Sequence, residues 1–300
     1  MTEEKVLNET LSILNKHGAL DAYEFLYSYS SEFVSKSSQF YNYLYCLAAL
    51  AGKSEDAIKW IEEAIIENEM WYRPDVFDDE DLHSLFENKR FQNFRDISSQ
   101  RYKRLLGETK TICTWRTMEK SSLFIALHGN QQNIEMCSEN WDFLKNYGHQ
   151  VEYLQSSEID SINLFRWSDN GDGNIQLNNA LSDIPWNEYS TRTLCGFSSG
   201  CNVILRSAAL SNVKCEQMIL VSPWIPFLRD NYLEVFEALF ETKPRILLVF
   251  GELDRDCIAF RTLAEKLAEN GINVKIESIA GLGHSFPENF IEIVTGFIKG

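Results

Sequence analysis

Thr191-Arg192-Thr193-Leu194-Cys195-Gly196-Phe197-Ser198-Ser199-Gly200-Cys201-Asn202-Val203-Ile204-Leu205-Arg206-Ser207-Ala208-Ala209-Leu210 is the stretch that decides how this chain folds. Residues 191–195 read as a strand and residues 201–210 as a helix. Between them Gly196-Phe197-Ser198-Ser199-Gly200 fits G-x-S-x-G, in which a sharp strand-to-helix turn holds a serine hydroxyl above a sheet. Small flanking residues let such a turn close without clashes. Three fixed positions recur by chance in roughly one chain in ten of this length, given average glycine usage, so the surrounding residues have to carry the argument.

A serine hydroxyl is a poor nucleophile at neutral pH. It needs a base to take its proton and a third group to orient that base. Downstream of Ser198 the sequence offers a single histidine, His284, in Gly281-Leu282-Gly283-His284-Ser285-Phe286-Pro287, where glycines allow a loop to present an imidazole. The downstream aspartates are Asp230, Asp254 and Asp256, and of these Asp254 closes a strand-end turn, Val249-Phe250-Gly251-Glu252-Leu253-Asp254. Ser198, Asp254 and His284 are therefore the candidate triad. The plainer alternative makes Ser198 a turn serine, Asp254 the cap of a helix over about residues 256–270, and His284 a loop hydrogen-bonder.

The chain order serine, aspartate, histidine resembles that of the α/β-hydrolases, and the resemblance spans about residues 110–300. Leu127-His128-Gly129-Asn130 follows the first strong apolar strand and resembles the H-G-x loop of these hydrolases. A tetrahedral oxyanion must be met by backbone N–H donors, and the resemblance assigns that role to Asn130 and Ser199. Within the superfamily His128-Gly129-Asn130-Gln131-Gln132-Asn133, Leu154-Gln155-Ser156-Ser157, Trp167-Ser168-Asp169 and Gly281-Leu282-Gly283-His284 look like the small phospholipase/carboxylesterase group of serine esterases. The chain departs from common patterns in three places. Its oxyanion loop has one glycine rather than an HGGG run, Ser199 stands where bulkier or amide side chains are common, and residues 168–174 are unusually polar.

Outward from the motif, short apolar runs at 123–127, 151–154, 193–197, 217–221, 246–250 and 274–279 are each followed by a stretch able to form a helix. That alternation predicts a mostly parallel, doubly wound sheet covered on both faces. Up to about residue 105 the apolar spacing is helical instead. Residues 40–67 read as two helices broken at Gly52, with Ala57 and Ala64 one heptad apart, and this stretch resembles a tetratricopeptide repeat. The run Asp79-Glu80-Asp81-Leu82-His83-Ser84-Leu85, closing with Arg90-Phe91, resembles the tail that follows such repeats. Residues 3–35 read as a degenerate earlier helix pair turning at Gly18. Stacked helical repeats generally need about three units to be stable alone, so these helices are expected to cap the second half, associate with another subunit or bind a partner. The expected organisation is a small all-α domain over 1–106 and an α/β-hydrolase domain over 107–300.

The sequence is 44% hydrophobic and 24% charged, with a net charge of −16. Such a field repels nucleic-acid phosphates and anionic lipid surfaces. The seven cysteines (46, 113, 137, 195, 201, 215 and 257) form no CxxC pair and read as free thiols in a reducing compartment. The early acidic residues lack a signal-peptide apolar region, and no apolar run reaches the roughly 18 residues of a membrane span. A cytoplasmic location is expected. His128 reads as structural, His17, His83 and His149 as surface residues, and Cys195 and Cys201 as core. In the loop around Asp169, Asn170 and Asp172, glycines occupy the positions a calcium loop would fill with ligands. Trp167, Trp186 and Trp224 read equally as core or as pocket lining. The reading is a serine hydrolase acting on a small acyl ester or thioester through an acyl-enzyme on Ser198, with no metal or organic cofactor implied. Its competitor is a non-catalytic scaffold of the same fold whose helices recruit a protein.

Overall fold

The computed structural model describes residues 2–169, 171–211, 213–254 and 257–300. Asn170 and Asp256, named above in the polar loop and at the start of an expected helix, lie outside the described residues. The chain divides into two units, Met1–Thr109 with Ile159–Asn163, and Lys110–Glu158 with Leu164–Gly300.

In the first unit, side-chain caps start three of the α-helices, and glycines turn the chain between helices. α1 (Glu3–His17) begins where the Thr2 hydroxyl accepts the Lys5 N–H, and Gly18, at φ 92°, separates it from α2 (Ala19–Tyr29). α3 (Ser38–Leu50) is capped by Ser37, and Gly52, at φ 74°, turns the chain into α4 (Ser54–Glu62), which runs on as a π-turn over Glu63–Glu67. Asn88 caps α5 (Lys89–Leu105). Ala57 and Ala64 are both fully buried, as are Phe40, Leu44, Tyr45, Ile58 and Ile61. The run from Asp79 forms a 3-10 turn, Glu80–Leu85, that buries Leu82 and Leu85. Ser161 bridges to Tyr72 and meets the Ser38 hydroxyl at 2.8 Å, and Asp160 accepts from the Arg73 guanidinium at 2.7 Å.

The second unit is built on strands β1 (Ile112–Cys113), β2 (Ser122–Leu127), β3 (Gln150–Gln155), β4 (Glu158–Ser161, mostly counted with the first unit), β5 (Leu164–Arg166), β6 (Thr191–Phe197), β7 (Gln217–Val221), β8 (Arg245–Gly251) and β9 (Val274–Ile279). Seven of them form one sheet in the order β1-β3-β2-β6-β7-β8-β9, parallel except for β1. All six expected strands are present. Helices α6 (Ile134–Trp141), α7 (Gly173–Ser182), α8 (Ser199–Ser211), α9 (Tyr232–Thr242), α10 (Ile258–Glu269) and α11 (Phe290–Lys299) complete the unit.

Alternation along the strands splits the core in two. Leu123, Ile125, Leu127, Leu194, Leu220 and Leu248 pack with Ile204, Leu205, Leu239 and Leu263 of α8, α9 and α10. Phe124, Ala126, Cys195, Ile219 and Val249 pack with Trp141, Phe290, Val294 and Phe297 of α6 and α11. Both faces of the central strands are covered, which is why they read as continuous apolar runs. Each large side chain so buried contributes about 1.5–3 kcal/mol. The register pairs Leu127 with Gly196, Phe197 with Val221, and Val221 with Val249, so the carboxyl ends of β2, β6, β7 and β8 finish level. The loops after them emerge side by side.

None of the seven cysteines forms a disulfide. Among the described residues no helix is long and apolar enough to cross a membrane. One surface expectation is corrected: His149 is half-buried, its Nδ1 3.0 Å from the Ser122 hydroxyl and its ring 4.9 Å from that of Phe124, because it sits at the entry to β3 beside β2.

Candidate active site

Ser198 occupies the turn from β6 into α8 at φ 52°. A serine held in the left-handed region costs of order 1–3 kcal/mol and persists only where its surroundings over-determine it. Here the Ser198 N–H donates to the Val221 carbonyl at 3.0 Å, and the Ser198 carbonyl accepts from Cys201 and Trp224 N–H at 3.0 and 3.2 Å. Gly200 lets α8 cross the end of β2. A Cβ there would lie 2.7 Å from both the Leu127 and His128 carbonyl oxygens.

The loops after β8 and β9 are tied to each other, with Leu253 N–H donating to the Leu282 carbonyl at 3.0 Å and Glu252 N–H to that of Ile279 at 3.0 Å. They bring Asp254 and His284 together. His284 Nδ1 is 2.8 Å from Asp254 Oδ2, and His284 Nε2 is 2.8 Å from Ser198 Oγ. With Nδ1–H donating to the carboxylate, the Nε2 lone pair faces the serine hydroxyl. The Asp254 side chain is 2% exposed and that of His284 34%. A carboxylate out of water thus orients an imidazole that solvent and substrate can reach. Two further side chains brace the set. The Cys257 thiol donates to Asp254 Oδ2 at 3.2 Å, and the Ser222 hydroxyl donates to the Ser285 carbonyl at 3.3 Å. Ser222, fully buried at the end of β7, is itself at φ 42°.

The loop after β2 lies against this turn. A Cβ on Gly129 would meet the Phe197 ring at 2.8 Å and Ser198 Cβ at 3.2 Å, so the glycine permits the approach. His128 is fully buried, and that burial lowers its pKa to about 4, which keeps the imidazole neutral. Its Nδ1–H donates to the Gly129 carbonyl at 2.6 Å while Nε2 accepts the Ser156 N–H at 3.1 Å. The Trp167 indole stacks on it and donates to the His128 carbonyl at 2.9 Å. Gly129 N–H goes to Gln132 Oε1 at 2.8 Å. Ser199 opens α8, where the first-turn N–H groups have no intrahelical acceptor and the helix end favours negative charge.

The geometry brings Ser198, Asp254 and His284 into one hydrogen-bonded chain and sets Asn130 and Ser199 beside the serine. Of the three tryptophans, Trp167 and Trp186 are buried in the core, 1% and 7% exposed, and Trp224 is half-buried. Ser222, Cys257 and Gln132 escaped the sequence reading. Cys257 alone carried a local signal, lying three residues beyond Asp254. Among the described residues no three His, Cys, Asp or Glu side chains cluster as metal ligands would. A hydroxyl, an imidazole base, a buried carboxylate and an adjacent helix terminus suit attack on a carbonyl with a place for the resulting negative charge.

Known proteins bear on the two units differently. Residues 2–105 match the family model described as the A/B hydrolase-like, N-terminal domain. A crystal structure of an uncharacterized protein from Bacillus cereus ATCC 10987 is similar over 100% of this chain and 98% of that one, with 28% identity and a TM-score of 0.56. Esterase PE8 matches over 64% of this chain and 97% of its own, with 18% identity and a TM-score of 0.48. Acyl-protein thioesterase 2 from Zea mays matches over 64% and 98%, with 18% identity and a TM-score of 0.46. No curated protein matches the chain significantly. With its mostly parallel seven-stranded sheet and the serine turn between β6 and α8, the second unit has the α/β-hydrolase fold.

Proposed function

We propose that the protein is a serine hydrolase that cleaves a carboxylic ester or thioester through an acyl-enzyme on Ser198. The observation that carries this reading is the bridging imidazole of His284, 2.8 Å from Ser198 Oγ on one side and 2.8 Å from Asp254 Oδ2 on the other.

In the first half-reaction Ser198 Oγ bonds to the acyl carbon as its proton passes to His284 Nε2. The carbonyl oxygen takes up the negative charge against the backbone N–H groups of Asn130 and Ser199. One such donor is worth about 2.7–4 kcal/mol in the transition state. Collapse breaks the bond to the leaving alkoxide or thiolate, which takes the proton from Nε2. Water then gives a proton to Nε2 as its oxygen attacks the acyl carbon. The second collapse frees the acid and returns the proton to Ser198 Oγ. Asp254 holds the tautomer and stabilises the imidazolium throughout, without itself becoming protonated. Seven cysteines with no CxxC pair support a reducing compartment such as the cytoplasm.

The test treats the purified protein and Ser198→Ala with a fluorophosphonate probe and a series of p-nitrophenyl esters. Labelling confined to Ser198, with turnover lost in the variant, is the expected result. A protein that neither labels nor hydrolyses would instead be the non-catalytic scaffold, with its helices acting on a protein partner.

A further inference from the structure

The Asn130 carboxamide is shared by two segments remote from it in sequence. The Ser199 hydroxyl, on a residue 0% exposed, donates to Asn130 Oδ1 at 2.8 Å, and the Trp167 backbone N–H donates to the same oxygen at 2.8 Å. A carboxamide oxygen has two lone pairs, and both are engaged here. A serine in the first turn of a helix commonly turns its hydroxyl onto its own backbone. Ser199 reaches across to the loop after β2 instead. The rest of that loop is fastened to its own surroundings: Gly129 N–H to Gln132, Gly129 carbonyl to His128, and His128 carbonyl to the Trp167 indole. The bond between Ser199 and Asn130 is a brace that joins the loop to α8.

We propose that the side chains of Asn130 and Ser199 act as a clamp that presets the spacing of the two backbone N–H groups meeting the oxyanion; both are positioning residues through their side chains, in addition to donating through their backbones. The proposal rests on the serine-hydrolase reading above. Two donors on separate segments serve one oxygen only if the segments keep a fixed separation, and donors that need no rearrangement when charge develops are the ones that accelerate the step. The ground-state carbonyl makes little use of that spacing. Its loss therefore lowers kcat and leaves KM nearly unchanged. The position after the nucleophile in this chain thus supplies a hydroxyl that reaches Asn130 from a fully enclosed site.

The experiment compares the wild type, Ser199→Ala, Ser199→Thr, Asn130→Ala and the Ser199→Ala/Asn130→Ala double variant by fluorophosphonate labelling rate at Ser198 and by kcat and KM on a p-nitrophenyl ester. Thermal unfolding is followed in parallel. Ser199→Ala should label and turn over about tenfold more slowly, short of the roughly 100- to 1,000-fold that loss of a whole oxyanion donor costs, with KM within about twofold and the melting temperature near that of the wild type. Ser199→Thr, which keeps the hydroxyl, should recover most of the rate, and the double variant should be no slower than Asn130→Ala. A wild type that labels while Ser199→Ala labels equally fast overturns the clamp and leaves the hydrolase reading standing. So do losses that appear in KM alone, or that multiply in the double variant. A wild type that fails to label at Ser198 overturns the hydrolase reading and the clamp with it.

Discussion

The Ser222 hydroxyl donates to the Ser285 carbonyl across 3.3 Å, so a buried side chain at the end of β7 holds the peptide next to His284. Misplacing a catalytic group by about 1 Å can cost on the order of 100-fold in rate, and a loop that has lost one of its ties shifts by less. Ser222→Ala is expected to lower kcat about three- to tenfold without changing KM. Steady-state hydrolysis of p-nitrophenyl esters measures this, and an unchanged kcat would mean that the loop holds His284 by its other contacts.

Asp254→Asn keeps the shape of the carboxylate but offers His284 Nδ1 a different partner. An amide can donate to Nδ1, which favours the tautomer with its proton on Nε2, facing Ser198. The expected loss in kcat is on the order of 10⁴-fold. Thermal unfolding should show the variant still folded, so that the loss is read as chemistry. Near-normal turnover would remove Asp254 from the proposed triad.

Gly200→Ala sets a methyl group 2.7 Å from two carbonyl oxygens that cannot rotate away. Overpacking of this kind costs about 1–3 kcal/mol, and the displaced α8 carries Ser199 with it. Urea titration should show a lower midpoint with an unchanged m-value, and labelling of Ser198 should slow. A variant as stable as the wild type would mean that α8 and β2 can part at little cost.

Burial holds the His128 pKa at about 4 in the folded chain, against an ordinary value of 6.5. Between those values the unfolded chain binds a proton that the folded chain does not, so stability is full above about pH 6.5 and is lost as pH falls toward 4. The slope is about 1.4 kcal/mol per pH unit, or about 3 kcal/mol across the window. Urea unfolding of the wild type and His128→Gln should show the gap between them narrowing as pH falls. A gap of constant width would exclude this linkage.

In the first unit Phe77 is fully buried among Tyr45, Tyr72 and Phe91, with ring centroids 5.7–6.1 Å away. Phe77→Ala is expected to cost about 3–5 kcal/mol. Differential scanning calorimetry of the full chain reports it as a lowered transition. A shift equivalent to less than about 1 kcal/mol would mean that the aromatic cluster closes over the gap.

Much of the second unit was legible because its signals are local. An unbroken apolar run marks residues 123–127 as a strand covered on both faces, and G-x-S-x-G marks the turn after Thr193-Leu194-Cys195. His284 could be chosen by elimination, as the sole histidine downstream of Ser198. What stayed hidden depends on register and distance. The two residues of β1 are too few to show a period, and nothing local says that β3 lies outside β2 rather than beside β6. Nothing local to Ser222 says that its hydroxyl meets the Ser285 carbonyl, 63 residues away. Trp167 was equally a pocket wall or a core residue until its ring was found stacked on His128. Residues 159–163 bear no mark in their own pattern that groups them with Met1–Thr109.

Synthesis on the ribosome proceeds from the amino terminus at about 5–20 residues per second. A nascent chain that has emerged only through α5 lacks Asp160 and Ser161, so Arg73 has not met its carboxylate and the Ser38 hydroxyl has not met that of Ser161. The helical unit must therefore wait, incompletely closed, while β1, β2 and β3 are translated. A fragment cut at the natural-looking boundary near Thr109 lacks the same two contacts.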